Sequence, residues 1–237
     1  MLNVIATPIG NLDDLSYRQA KTLTSSDMIL VEDTRTAKNL IDRAKEVMRK
    51  YKSDTSQKIP KIESYYKDVE MQKLPLIMKW LERENAVSLI SEAGMPLISD
   101  PGYILIKACI QKNITFTVIP GPSAVTTALI YAGFKSDQFM FLGFLPKKGR
   151  KLQKLIEKIA IIQQTLPETV FVGFESPLRI QETLKVIEEI LPLHQIVIAR
   201  ELTKKFEEIH RGTAKELQSE VIKGEITLII GPSTSTL

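Results

Sequence analysis

Short apolar runs rich in β-branched residues alternate with longer amphipathic stretches along this chain. No other feature restricts its fold as much. Leu2–Ala6, Met28–Glu32, Ala86–Ile90 and Phe116–Ile119 read as strands, and Tyr17–Leu23, Thr36–Lys52, Met71–Glu84 and Tyr103–Lys112 read as helices between them. Such alternation predicts a parallel sheet covered by helices. Pro120-Gly121-Pro122 then interrupts the chain and the pattern changes. Ser123 is placed to cap a helix over Ser123–Tyr131. Phe139–Phe144, Val170–Phe174, Ile196–Ala199 and Ile226–Ile230 follow as strands, with Phe206–His210 as a further one. Leu152–Gln164, Leu178–Leu191 and Ala214–Ile222 read as helices, Pro177 taking the first helical position and Thr213 with Glu216 forming a capping box. Short separations between several of these strands imply antiparallel neighbours. The expected fold class is α/β, as two domains: residues 1–119 with a mainly parallel sheet, and residues 120–237 with a mixed one.

A length of 237 residues is ample for a buried core, and a net charge of +4 with mixed signs says little about partners. Cys109 is the single cysteine, so no disulfide forms within the chain, which suits a reducing compartment and a cytoplasmic location. Neither a leader nor a membrane segment is expected.

Four loops follow predicted strands. They are Thr7–Leu12 (TPIGNL), Glu32–Asn39 (EDTRTAKN), Ser91–Gly102 (SEAGMPLISDPG) and Pro120–Ala124 (PGPSA). In a parallel sheet they share the carboxyl edge, where open α/β sheets bind ligands. Gly94 is expected to let bare backbone approach such a ligand. Glu32, Asp33, Arg35, Glu92 and Asp100 supply charge along that edge. The common nucleotide fingerprints G-x-G-x-x-G and G-x-x-x-x-G-K-[ST] are missing, and so is the hydrolase elbow G-x-S-x-G. His194 and His210 have no ligand set around them, so no metal site is expected.

Thr7–Arg18, Val31–Ile41, Ser91–Gly102, Val118–Val125, Phe141–Arg150, Ala199–Gly212 and Lys223–Ile230 together resemble the tetrapyrrole methylase family over nearly the whole chain. EDTR, SDPG and ARELTK point to its ribosomal-RNA-modifying branch. The resemblance implies a class III methyltransferase that holds S-adenosylmethionine in a cleft between its two domains and works as a homodimer. It implies an acceptor in small-subunit ribosomal RNA, free or assembled, namely the 2′-hydroxyl of a cytidine ribose. Carried over residue by residue, cofactor contacts fall on Pro8, Gly10, Gly94, Met95, Pro96 and Ile98. A second set falls on Ser123, Ala124, Phe174, Leu202, Glu225 and Ile226. Candidates for catalysis are Glu32, Asp33 and Asp100, with Arg35 or Lys204 holding a phosphate; alternatively Glu32 and Arg35 pair with each other and brace the loop.

Two basic stretches bear on an RNA partner: Arg43–Lys61 with seven Lys or Arg, and Lys147–Lys158 with six against one acid, Glu157. Either also fits a solvated helix face. Tyr65 and Tyr66 suit base stacking or the core equally. The chain departs from the family pattern at Met95, where a Thr is usual, and at Leu178, where a His is usual. It departs again at Glu63–Lys67, which replaces a His-rich segment, and it ends at Leu237, where many relatives continue. These changes leave open a tetrapyrrole or another RNA site as acceptor, or an RNA-binding relative without catalysis.

Overall fold

The first sheet is built from β1 (Leu2–Ile5), β2 (Met28–Val31), β3 (Lys61–Ser64), β4 (Val87–Ile90) and β5 (Phe116–Ile119), ordered β3-β2-β4-β1-β5. Every neighbouring pair is parallel. The helices between them are α1 (Tyr17–Thr24), α2 (Thr34–Lys50), α3 (Glu70–Glu82) and α4 (Tyr103–Gln111). This computed structural model describes residues 1–52, 59–147 and 149–233. Within it the chain divides into two units, Met1–Ser123 and Ala124–Leu237.

Strands β1, β2 and β4 are buried at every position because helices cover both faces of the sheet. Alternate residues serve opposite cores. Ile5, Ile29 and Val31 pack with Leu40, Ala44 and Val47 of α2. Leu2, Val4, Met28 and Leu30 pack with Ile77 and Leu81 of α3 and Leu105 of α4. The chain leaves β1 toward β2 on one side and leaves β4 toward β5 on the other. Neighbouring strands whose connections diverge open a crevice at their carboxyl ends.

The second unit orders its strands β6 (Phe139–Phe144), β7 (Val170–Glu175), β8 (His194–Arg200), β9 (Glu208–Gly212) and β10 (Ile226–Ser233) as β6-β7-β10-β8-β9. β6 and β7 are parallel and the remaining pairs antiparallel, so the sheet is mixed. Its helices are α5 (Ala124–Ala132), α6 (Gly149–Thr165), α7 (Ile180–Ile190) and α8 (Ala214–Leu217). Leu152, Ile156 and Ile159 of α6 and Leu184 and Ile187 of α7 pack on Phe171, Ile198 and Leu228.

Several expectations need correction. β3 reads Lys-Ile-Glu-Ser, a half-exposed edge strand without an apolar run, and its sequence does not announce it. α2 begins two residues early because Asp33 caps it. Pro177 lies in the turn before α7, whose first residue is Ile180. There the Ser176 carbonyl accepts from the Arg179 and Ile180 amides, both at 3.0 Å. The Thr213–Glu216 capping box forms, but α8 stops at Leu217 rather than Ile222. Among the described residues, no helix is long and apolar enough to cross a membrane.

Candidate active site

The loop after β4 folds back on the loop after β1. Thr7 and Gly94 pair as an isolated antiparallel bridge, the Thr7 amide donating to Gly94 O at 2.9 Å and the Gly94 amide to Thr7 O at 3.1 Å. Ser91 Oγ donates to the Gly94 carbonyl at 2.8 Å, and Thr7 Oγ1 to the Ser91 carbonyl at 3.2 Å. Gly94 adopts φ +84°, a region that favours glycine. A Cβ there would lie 3.2 Å from Ile9 Cγ2 and 3.5 Å from Pro122 O. The backbone conformation and a close protein contact thus give glycine a structural reason at this position, beside the approach to a ligand expected from the sequence.

Backbone strain concentrates where cofactor contacts were expected. Among the described residues, seven other than glycine have positive φ. Lys52, Glu84 and Asn113 each follow a helix C-cap, the ordinary place for it. The other four are Leu97 (+70°) and Ser99 (+73°) beside Met95, Pro96 and Ile98, and Glu201 (+51°) and Thr203 (+64°) on either side of Leu202. Each costs about 1–2 kcal/mol, and such strain persists where the surroundings enforce it. Gly102, at φ +129°, ends the first loop, and its amide donates to the buried Glu70 Oε1 at 2.7 Å. A Cβ at Gly102 would come within 2.7 Å of Leu89 Cδ2 and 2.9 Å of Leu97 Cδ1. Gly102→Ala is accordingly expected to lower unfolding stability by about 1–3 kcal/mol, measured by urea titration.

Carboxylates gather at the same edge. Glu32 follows β2, Glu92 follows β4, and both line a cavity of about 100 Å³ with Thr7, Pro8, Thr36 and Ser91. Burial, then Glu32, then Glu92 push the Asp100 carboxyl up to about 7. Burial, then Glu92, raises Glu32, whose Oε1 is buried without a hydrogen-bond partner. Glu32 and Arg35 do not pair. Asp33 holds Arg35 instead, through Nε at 3.0 Å and Nη2 at 2.5 Å, and accepts from the Arg35 amide as the α2 N-cap. The hydrogen bonds from Arg35 pull the Asp33 carboxyl down to about 2. Asp33 is thus committed to the helix start, while Glu32 and Asp100 have no cation partner among the described residues.

In the second unit, Glu201 N donates to Glu225 O at 3.0 Å, and Glu201 Oε1 accepts from the Glu225 amide at 2.9 Å. Lys204 Nζ bridges Glu201 at 3.1 Å and Glu225 at 2.9 Å. Burial opposes its charge, but the hydrogen bonds to Glu225 and Glu201 prevail and hold Lys204 above its ordinary range. Both ion-pair partners of Lys204 are carboxylates of this loop, so it braces the loop. Phe174 on β7 pairs with Thr227 on β10, next to Ile226, and its ring meets Phe141 and Phe144. Ala124 opens α5 directly after Ser123. The structure thus brings together Pro8, Gly94 and the 95–98 loop within the first unit. Leu202 and Glu225 come together within the second, as do Phe174 and Ile226. Gly10 and Ile98 are exposed on the first unit.

Glu92, Glu70 and Glu207 were not assigned roles from sequence. Glu207 accepts from the Thr203 amide at 2.5 Å and from Tyr131 Oη at 2.7 Å, fixing the strained turn. Glu92 stood in the quoted loop, but its effect on Asp100 depends on tertiary proximity. Tyr65 is fully buried and belongs to the core, whereas Tyr66 is exposed. Lys58 and Lys148 of the basic stretches lie outside the described residues.

The family model described as Tetrapyrrole (Corrin/Porphyrin) Methylases matches residues 1–218. A Thermotoga maritima protein named Ribosomal RNA small subunit methyltransferase I is 38% identical, covering 97% of each chain. A Hydrogenobaculum sp. protein of the same name is 39% identical, covering 97% of this chain and 94% of its own. Among solved structures, the methyltransferase CobJ shares the fold at a TM-score of 0.69 and 15% identity, over 98% of this chain and 93% of its own.

Proposed function

This chain belongs to the tetrapyrrole methylase family as an S-adenosylmethionine-dependent methyltransferase, and we propose that it methylates the 2′-hydroxyl of a cytidine ribose in small-subunit ribosomal RNA. The observation that carries the acceptor class is the name borne by both relatives, which align with this chain from end to end. In the same reading the protein acts in the cytoplasm as a homodimer, so light scattering should give twice the chain mass.

The first unit's chemistry fits this cofactor. A sulfonium is a cation, and Glu32, Glu92 and Asp100 set a negative field at the crevice edge, with no lysine or arginine among the described residues paired to Glu32 or Asp100. S-adenosylmethionine, when bound, supplies an electrophilic methyl group. Pro8 and the 94–98 loop are the candidates to hold it in the first unit, and Leu202, Glu225 and Ile226 in the second.

A ribose hydroxyl attacks poorly while it keeps its proton. We assign Asp100 as the base: its carboxylate would take the hydroxyl proton as the ribose oxygen gains the methyl group and the cofactor's methyl–sulfur bond gives way to leave a neutral thioether, and would pass the proton to solvent afterwards. A carboxylate near 7 is basic enough to share a proton in the transition state at neutral pH. Burial, then repulsion from Glu32 and Glu92, holds it there. Arg35 lies within the electrostatic reach of Glu92 and keeps a largely exposed guanidinium, its contact with Asp33 notwithstanding.

The sign of the pH dependence follows. Asp100 must be deprotonated to act, so kcat should rise with pH through an acid limb near 7. Glu92→Gln removes one of the charges that raise Asp100, so the limb should move to lower pH, read from a pH–rate profile. An unmoved limb would remove Glu92 from the account. The acceptor is tested by incubating labelled S-adenosylmethionine with small ribosomal subunits from cells lacking this protein. Label in the RNA supports the proposal. Cofactor binding without label in the RNA would turn the search to a tetrapyrrole or another RNA.

A further inference from the structure

Helix α6 carries a row of cations that the protein itself does not neutralise. Arg150, Lys151, Lys154 and Lys158 are exposed, and none of them forms an ion pair among the described residues. At 3.6 residues per turn they fall within an arc of roughly 100°, opposite the buried Leu152, Ile156 and Ile159. Arg150, Lys154 and Lys158 are spaced about 6 Å apart along the axis. Glu157, the acid among them, is engaged by Gln153 at 3.0 Å.

Arg150 and Lys151 also sit at the wrong end of the helix for stability. No acid occupies the first turn of α6, and the N-terminal end of a helix carries partial positive charge. The basic residues in the second half of α2 are better accommodated. Arg49 and Lys50 lie in its last turn, where the dipole favours cations. Arg43 pairs with Asp13 and with Glu46, and Lys45 lies 3.9 Å from Asp42. Folding accounts for Arg43, Lys45, Arg49 and Lys50 on α2 and leaves the α6 row without an ion-pair partner among the described residues.

Building on the RNA reading above, we infer that the outer face of α6 binds the phosphate backbone of the RNA acceptor. A polyanion along this face neutralises the row and complements the positive end of the helix together. Its contribution is to affinity, with no sequence preference.

The test replaces Arg150, Lys151, Lys154 and Lys158 together by glutamine, which keeps helix propensity. Affinity for isolated small ribosomal subunits is measured between about 50 and 200 mM salt, and S-adenosylmethionine affinity by calorimetry. The log–log salt slope is expected to become shallower by about 3, with affinity at low salt down tenfold or more. Cofactor affinity, which also reports folding, should stay within about twofold. The variant Lys45→Gln/Arg49→Gln/Lys50→Gln should keep the wild-type slope to within about one unit. A retained slope in the α6 variant overturns the inference, as does an equal loss in the α2 variant. Stronger binding to anionic lipid vesicles than to the subunits, abolished by the same four changes, overturns it too. Wild-type protein that neither binds nor methylates small-subunit RNA overturns the acceptor reading first and this inference with it.

Discussion

Asp100→Asn is expected to lower kcat for methyl transfer by about 10²–10⁴-fold while S-adenosylmethionine affinity changes by less than about threefold. Asparagine matches the shape of the carboxyl but cannot take a proton. The remaining activity should lose the acid limb near 7, because the group responsible for it is gone. The same substitution should stabilise the fold. An unfolded aspartate titrates near 3.8 whereas folded Asp100 titrates near 7, so over that interval the folded state binds the proton more tightly. Stability therefore falls as pH rises through the window and stays reduced above it. A neutral asparagine escapes that penalty, and the melting temperature at pH 8 should rise. Loss of activity coupled to a gain in stability is the signature of a strained functional group. Unchanged kcat would remove Asp100 from the chemistry.

Gly94→Val is expected to weaken S-adenosylmethionine binding tenfold or more and to destabilise the fold by about 2–4 kcal/mol. A β-branched residue resists φ +84°, and its Cβ presses on Ile9. Relief of that strain breaks the Thr7–Gly94 bridge that ties the two loops at the carboxyl edge. Gly94→Asn separates the causes. Asparagine tolerates positive φ, so it should retain more affinity than valine at similar bulk. Equal losses would put steric contact ahead of conformation. An unaltered calorimetric affinity in the valine variant would take the loop out of the cofactor site.

Much of the fold was legible because the first sheet is covered on both faces. Burial there makes β2 a continuous apolar run and β1 and β4 apolar apart from Asn3 and Ser88, so that they stand out from their surroundings. Edge position hides β3, where Lys61 and Glu63 are tolerated because one side of the strand has no neighbour. Local capping chemistry was readable at Thr213, whose partner is three residues away, but not at Pro177. There, a tight turn around Ser176 delays the helix. The site divides along the same line. Gly94 was visible as an element of a strand-end loop, although its reason lies in a pairing with Thr7 that joins distant segments. The pairing of Arg35 with Asp33 follows from the start of α2, and a two-residue shift in that boundary changed the partner. The height of Asp100 depends on burial and then on Glu32 and Glu92, brought together by β2 and β4 and by no local pattern.

The most direct test of the account is where the transferred methyl group lies on the RNA. Small ribosomal subunits labelled by this protein and methyl-labelled S-adenosylmethionine are digested with alkali, which needs a free 2′-hydroxyl to cleave the chain. The account predicts label in one alkali-resistant dinucleotide beginning with cytidine. Label released as a mononucleotide would place the methyl group on a base and contradict both the hydroxyl acceptor and the base assigned to Asp100.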